Sequence, residues 1–469
     1  MLISFTEQCL SGQLRTEFYS PKSGVLSPKP CSIMKNSRRW IWTTFVMLLF
    51  FVAGSGIGGY TRWCAAQKSA DARLALDAHY ADMPPDAHHR YLNLPTDYTD
   101  ASSKYFRAFY LLSPNFSPKG PVIFFLTDGQ MELVYPGMEF SFFDKQLPGV
   151  SYVLIGHRGH YPTLFPEVYP NGKLDLGRAM RLYGSWQRVE DIERVRQDMV
   201  SANLLSSDGR IMIFGASGAG VLAQQYLHRY GEHVTRALLV TTGAPDLART
   251  HGWTYARNFA EVDPKDAVFL TEIASRDGIR PSLAYMLFQL GREGRSGLAK
   301  IGKIVRGELN HNPVPYAWYE LHPSLNWALS RAMLSLPNAD AAKVRMYELI
   351  GSDLQSVKTS YGYDLPLYVW SMEMLWNFMH QHALLPNLQL DRNSYQGEVL
   401  VIAARDDVVF SPAIGKAIVS AYPKARFLLV RGGHRLEMDH EYQHSIRRAY
   451  FLHGLQSRDT MSLLDAPPF

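Results

Sequence analysis

From residue 121 onward the chain alternates short, continuously apolar runs with longer stretches of mixed polarity. The apolar runs are Val122–Thr127 (VIFFLT), Tyr152–Gly156 (YVLIG), Arg210–Gly215 (RIMIFG), Arg236–Thr242 (RALLVTT), Glu398–Ala404 (EVLVIAA) and Arg426–Gly432 (RFLLVRG). Runs of this length, rich in β-branched and aliphatic residues, predict strands covered on both faces. Between them Val189–Leu204, Ala219–Tyr230 and Pro412–Ala421 carry helical patterns. Strand–helix alternation of this kind predicts a mostly parallel sheet flanked by helices, an α/β fold. The rhythm stops between Thr242 and Glu398, where 155 residues show little strand character and many aromatics, among them Trp253, Trp318, Trp327, Trp370 and Trp376. Helix-like stretches at Pro281–Leu290, Asn326–Leu334, Ala341–Leu349 and Leu367–His380 predict a mostly helical insertion there.

A different pattern occupies the N-terminal region. Trp40–Thr61 is a run of 22 residues without a charge, preceded by Arg38 and Arg39 and followed by Arg62. As a helix it would be about 33 Å long, enough to cross a bilayer. The basic flank places its N-terminal end in the cytoplasm and the rest of the chain outside, as a single-pass anchor. The competing reading is a cleaved signal peptide giving a secreted or periplasmic protein, with Lys35, Arg38 and Arg39 as its basic region and Ala53, Gly54 and Ser55 near the cut. Met34 opens this segment naturally and is an alternative start to Met1.

Composition narrows the picture further. The chain has 469 residues, 46% hydrophobic and 19% charged, which excludes disorder as its main state. Its formal net charge is +5, but residues 1–39 carry a net +4 of this, so the remainder is close to neutral. That excludes the broad basic footprint a nucleic-acid partner requires. The three cysteines, Cys9, Cys31 and Cys64, all precede residue 65, so no disulfide framework holds the main body.

Candidate chemistry lies at the strand ends. IMIFGASGAGVLAQQ places Ser217 in a strand-to-helix turn among Gly215, Ala216, Gly218 and Ala219, the small residues a nucleophile elbow needs because its backbones nearly touch. Ala219 stands where the G-x-S-x-G pattern has its last glycine. Downstream, EVLVIAARDDVVFSP ends a strand with Asp406 and Asp407, and LLVRGGHRLE ends the next with His434. The order Ser…Asp…His, with both partners on loops after successive strands, is that of an α/β-hydrolase triad. Counting from the strand favours Asp407, with Asp406 in reserve. His434 would take the Ser217 proton while the aspartate fixes its tautomer. An oxyanion hole needs two backbone N–H groups, here Gly218 and a donor in LTDGQME, Gly129 or Gln130. Asp128 stands in that same loop, where an acid opposes a developing negative charge.

Four stretches resemble the proline iminopeptidase-like group of serine aminopeptidases within the α/β-hydrolase superfamily. LTDGQ sits where that group has a His-Gly-Gly-Pro-Gly loop, sharing Gly129. Gly156–Thr163 (GHRGHYPT) is similar to its Asp-x-Arg-Gly-x-Gly-x-Ser segment, keeping Arg158 and Gly159. Val189–Met199 (VEDIERVRQDM) is similar to the helix before the nucleophile strand, and Ala404–Val409 (ARDDVV) to the Gly-Arg-Tyr-Asp-Val-Val segment, which again selects Asp407. In the insertion, Leu367–Phe378 resembles a cap-helix segment whose glutamate binds the substrate's free N-terminus, and Glu373 is the matching position.

The resemblance, over roughly residues 116–455, implies an α/β-hydrolase core with a helical cap, and the uncharged Trp40–Thr61 run adds an N-terminal transmembrane helix. Residues 1–39 would be a basic tail, 40–61 the anchor, 62–115 a linker and pre-core segment, 116–245 and 397–455 the core, 246–396 the cap, and 456–469 a C-terminal tail. The implied activity is release of N-terminal residues from short peptides, without cofactor or metal. An esterase or lipase-type ester hydrolase uses the same triad, and a non-catalytic binding protein on a hydrolase fold is the third reading.

Overall fold

The computed structural model describes residues 86–147, 149–253, 259–276, 278–356, 388–436 and 440–467. The strands are β1 (His89–Pro95), β2 (Tyr105–Leu112), β3 (Val122–Leu126), β4 (Ser151–Ile155), β5 (Ile211–Ala216), β6 (Val234–Val240), β7 (Glu398–Ala404) and β8 (Ala425–Val430). They form one sheet in the order β1-β2-β4-β3-β5-β6-β7-β8, antiparallel at β1–β2–β4 and parallel from β4 to β8. A mostly parallel eight-stranded sheet flanked by helices fits the α/β-hydrolase fold.

Six strands fall on the six apolar runs, with ends moved by at most two residues and β7 matching its run at both ends. β1 and β2 instead lie inside the 62–115 segment that the sequence pattern assigns to linker and pre-core. The reason is physical: β1 is an edge strand with mostly half-buried positions, so HRYLNLP lacks the continuous apolar signature of a covered strand.

Alternate residues along the strands feed two cores, one on each face. Phe124, Ile213 and Val401 point to the face covered by α3 (Ser185–Ser201), α4 (Gly218–Tyr230) and α13 (Pro412–Ala421). Ile123, Phe214 and Leu400 point to the face covered by α1 (Ser141–Gln146) and α14 (His440–His453). α2 (Leu176–Tyr183) precedes α3, and α15 (Arg458–Asp465) follows α14.

The insertion between β6 and β7 is helical in its described part: α5 (Pro245–Thr250), α6 (Phe259–Val262), α7 (Pro264–Arg276), α8 (Pro281–Gly291), α9 (Arg295–Leu309), α10 (Val314–Glu320), α11 (Trp327–Leu334) and α12 (Asp340–Ser356). α6 to α10 enclose a core of their own around Leu270, Met286, Ile301 and Val305. α12 packs differently. Its Val344 and Tyr347 join Phe106, Phe165 and Tyr183 of the main body and Val408–Phe410 after β7. α12 thus sits at the C-terminal edge of the sheet, where ligands of open α/β sheets bind.

Among the described residues no helix is long and apolar enough to cross a membrane. Trp40–Thr61 and Glu373 both lie outside the described residues.

Candidate active site

β5 delivers Ser217 at its C-terminal end, and α4 starts at the next residue. Ser217 has φ 55° and ψ −130°, a conformation that costs a residue with a side chain about 1–3 kcal/mol. The turn is held by the Ser217 N–H donating to the Val240 carbonyl at 2.9 Å and by the Thr242 hydroxyl donating to the Ser217 carbonyl at 2.7 Å. The small residues around it are needed: a Cβ on Gly215 would come within 2.6 Å of the Ala219 carbonyl oxygen. Ala219 is buried at the start of α4, so a methyl group is accommodated where the usual pattern has a glycine.

β7 and β8 deliver the partners. His434 Nε2 lies 2.9 Å from Ser217 Oγ, and His434 Nδ1 lies 3.0 Å from Asp407 Oδ2. The other Asp407 oxygen accepts the N–H groups of Val409 at 2.7 Å and Phe410 at 3.3 Å. Asp407 is 1% exposed, so its carboxylate is fixed on both oxygens. Because Asp407 Oδ2 can only accept, the His434 proton belongs on Nδ1 and Nε2 is left to accept from the serine hydroxyl. Asp406 turns away: its nearest cation is Arg295, at 3.9 Å on the cap.

The loop bearing His434 is clamped. Gly433 packs against the cap turn at Arg292–Gly294, and a Cβ there would lie 2.8 Å from the Arg292 carbonyl oxygen. That same carbonyl accepts the Arg435 N–H at 3.2 Å.

The loop after β3 is held from behind. Arg188 of α3 donates to the carbonyls of Thr127, at 2.7 Å, and Asp128. His160 Nε2 lies 3.0 Å from the Gly129 carbonyl. In a trans peptide the C=O and the following N–H point in opposite directions. The Gly129 N–H is therefore turned away from Arg188, and the Gln130 N–H away from His160. Gly218 opens α4, so its N–H has no acceptor within the helix. Burial, with Arg188 and His160 adding to it, pushes the neighbouring His157 imidazole well below its ordinary range and keeps it neutral. Burial also lowers the Arg188 guanidinium, to about 10, which still leaves it charged at neutral pH.

Asp128 is neutralised by a residue that sequence reasoning does not single out. Arg345 of α12 donates from Nε to Asp128 Oδ1 at 2.6 Å, from Nη2 to the Gly218 carbonyl at 2.8 Å and from Nη1 to Glu348 at 2.9 Å. Gln130 donates from its amide to the other Asp128 oxygen. Burial works against the Arg345 charge, but Asp128 and Glu348 outweigh it and hold the guanidinium above its ordinary range. The signal in the sequence was Asp128 itself, since a buried acid requires a cation; nothing local says which arginine supplies it.

Arg158, part of the resemblance to the aminopeptidase group, is not at the site. It pairs with Asp191 through Nε at 2.7 Å and Nη2 at 2.6 Å, and caps the carbonyls of Thr96 and Leu182. Two of the resembling stretches are thus joined by one buried ion pair. Among the described residues no cluster of His, Cys, Asp and Glu could hold a metal ion.

No family model matches the sequence, and no curated protein matches it. Solved structures do show similarity. An esterase from Exiguobacterium antarcticum is 13% identical over 70% of this chain and 89% of its own, with a TM-score of 0.34. An α/β-hydrolase enzyme from a Medee basin deep-sea metagenome library is 13% identical over 78% and 98%, with a TM-score of 0.35. A serine hydrolase from Cycloclasticus zankles is 14% identical over 78% and 97%, with a TM-score of 0.34.

Proposed function

We propose that the protein is a serine hydrolase working through an acyl-enzyme at Ser217. The observation that carries this reading is the continuous Ser217–His434–Asp407 hydrogen-bonded chain, with the serine on a strained turn at a strand end. His434 Nε2 accepts the Ser217 proton as Oγ attacks the substrate carbonyl. The oxyanion then forms against the N–H of Gly218 and that of Gly129 or Gln130. His434 returns the proton to the leaving group, and water repeats the sequence to release the acid. An intact chain of three residues argues against the non-catalytic reading.

For the substrate, the proposal is the free N-terminus of a short peptide. Its support is the likeness of Leu367–Phe378 to the cap segment that carries Glu373. A carboxylate in an aromatic setting suits an ammonium group. The uncharged Trp40–Thr61 run supports placing the catalytic body on the extracytoplasmic side of a membrane.

The test is a panel of aminoacyl-arylamides, their N-acetylated forms and simple acyl esters, with Ser217→Ala as control. Aminopeptidase activity requires turnover of free amines and refusal of capped ones. Losing the ammonium from a buried carboxylate is worth about 2–5 kcal/mol. Glu373→Gln should raise KM for the aminopeptides and leave ester cleavage unchanged. Equal activity on capped and free substrates would replace the aminopeptidase with an esterase.

A further inference from the structure

The acid in the oxyanion loop and the cap arginine that meets it form one device. Arg345 joins both segments that carry the candidate oxyanion donors. Its Nε holds Asp128, one residue before Gly129, and its Nη2 holds the carbonyl of Gly218. Its third nitrogen is tied to Glu348, whose other oxygen accepts the N–H of Ser185 at 2.7 Å and its hydroxyl at 3.0 Å. The guanidinium is therefore fixed at each of its three nitrogens and buried. Asp128 is pressed so closely on the elbow that a Cβ added at Gly218 would overlap its carboxylate.

This arrangement has two consequences for a negative charge developing beside Gly218. The planar guanidinium fork sets the separation of the two donor segments, which a flexible point charge could not do. It also cancels the Asp128 charge, which would otherwise oppose the oxyanion across a short, water-poor distance. Resting on the serine-hydrolase reading above, we infer that Arg345 is a positioning residue for the oxyanion hole. By this inference the cap helix α12 is a structural part of the catalytic centre as well as a cover for it.

The experiment compares wild type with Arg345→Met, Arg345→Lys, Asp128→Asn and the Asp128→Asn/Arg345→Met double variant. Each is assayed for kcat and KM on a neutral aryl ester and for inhibition by a trifluoromethyl ketone. That probe adds Ser217 to its carbonyl and leaves an anionic oxygen where the oxyanion would sit. Arg345→Met is expected to lower kcat by about 100-fold, the scale of a lost oxyanion donor, with KM within about threefold. Ketone inhibition should weaken by the same factor as kcat/KM, because both read stabilisation of the tetrahedral anion. The double variant should recover at least about tenfold over Arg345→Met, since the uncompensated carboxylate is gone.

Arg345→Lys keeps a charge against Asp128 and Glu348 and so covers the case in which the methionine variant does not fold. One ammonium cannot replace the fork, and kcat should fall at least about tenfold at constant KM. A lysine variant with wild-type kcat would overturn the inference. So would a folded methionine variant whose loss is confined to KM, or a double variant no better than Arg345→Met with unchanged ketone affinity. If instead turnover survives Ser217→Ala undiminished, the hydrolase reading fails and the inference that rests on it falls with it, an outcome distinct from loss of the Arg345 effect in a Ser217-dependent enzyme.

Discussion

Replacing Asp407 by Asn tests the assignment of the catalytic acid most directly, because Asp406 is adjacent and provides an internal control. In the native site Asp407 Oδ1 accepts from Val409 and Phe410, and Oδ2 faces His434 Nδ1 at 3.0 Å. The asparagine carbonyl oxygen would keep the two backbone N–H groups, which turns its NH2 toward Nδ1. The imidazole must then accept at Nδ1 and carry its proton on Nε2, facing Ser217 Oγ at 2.9 Å, where it can no longer take the serine proton. The corresponding loss in a serine-protease triad is about 10⁴ in kcat, or about 5–6 kcal/mol of barrier. The fold should lose only a charge-assisted hydrogen bond, about 1.5–3 kcal/mol. Asp406→Asn removes a carboxylate whose nearest cation, the exposed Arg295, is 3.9 Å away. Such a pair contributes about 0–1 kcal/mol, and kcat should stay within about twofold. Steady-state turnover of an activated ester, fluorophosphonate labelling of Ser217 and thermal melting together separate catalysis from stability. A large loss in Asp406→Asn alongside near-normal Asp407→Asn would refute the assignment and the tautomer argument with it.

Gly218→Ala should abolish turnover and fluorophosphonate labelling while the far-UV circular dichroism stays native, because the new Cβ competes with the Asp128 carboxylate for one space; a labelled, active alanine variant would contradict that packing. Arg392 donates to Asp246 from Nη1 at 2.7 Å and Nη2 at 2.8 Å, joining the segment before β7 to α5. Burial pushes the Asp246 carboxyl up, but Arg392 outweighs it and holds the group below its usual range. A depressed folded value means the stabilisation is complete above about pH 4 and disappears as the pH falls through the folded value. Arg392→Met should cost about 3–5 kcal/mol at neutral pH in urea unfolding, and the difference from wild type should shrink in acid; a pH-independent difference would remove the ion pair as its cause. Full-length protein should sediment with membranes and resist alkaline carbonate extraction, whereas a soluble mature form beginning near Ser55 would make it a secreted enzyme.

The sequence was most legible where a residue's environment is set by its own strand. β3 to β7 carry continuous apolar runs because both faces are covered, and β8 keeps an apolar run although it is a partly buried edge strand. Ser217, Asp407 and His434 stand at or just after the ends of β5, β7 and β8. The choice of Asp407 over Asp406 was legible for the same reason, since adjacent residues leaving a strand point in opposite directions. β1 is faint in the sequence because an edge strand need bury little, and β2 pairs with it in register from Tyr105 to Leu111 across the loop 96–104, which is too long to read as a tight hairpin turn. Arg345 was illegible for a different reason. It lies 217 positions from Asp128, and its role depends on how the cap docks, which no local pattern encodes.

The docking of the cap explains how a loop so far from the glycine-rich form is held against the Ser217 turn. In a His-Gly-Gly-Pro-Gly loop, glycines let the backbone approach the elbow unaided. Here the loop keeps one of those glycines, Gly129 at φ 74°, and fills the remaining positions with side chains that need partners. Those partners come from three places: Arg188 from α3, His160 from the loop after β4, and Arg345 from the cap. The histidine loop is treated alike, with Gly433 and Arg435 set against Arg292–Gly294 of the cap. Rigidity that other loops draw from local backbone conformation is supplied by distant, buried hydrogen bonds. The consequence is coupling: displacing α12 or the Arg292–Gly294 turn would displace the Asp128–Gly218 contact or the His434 loop with it.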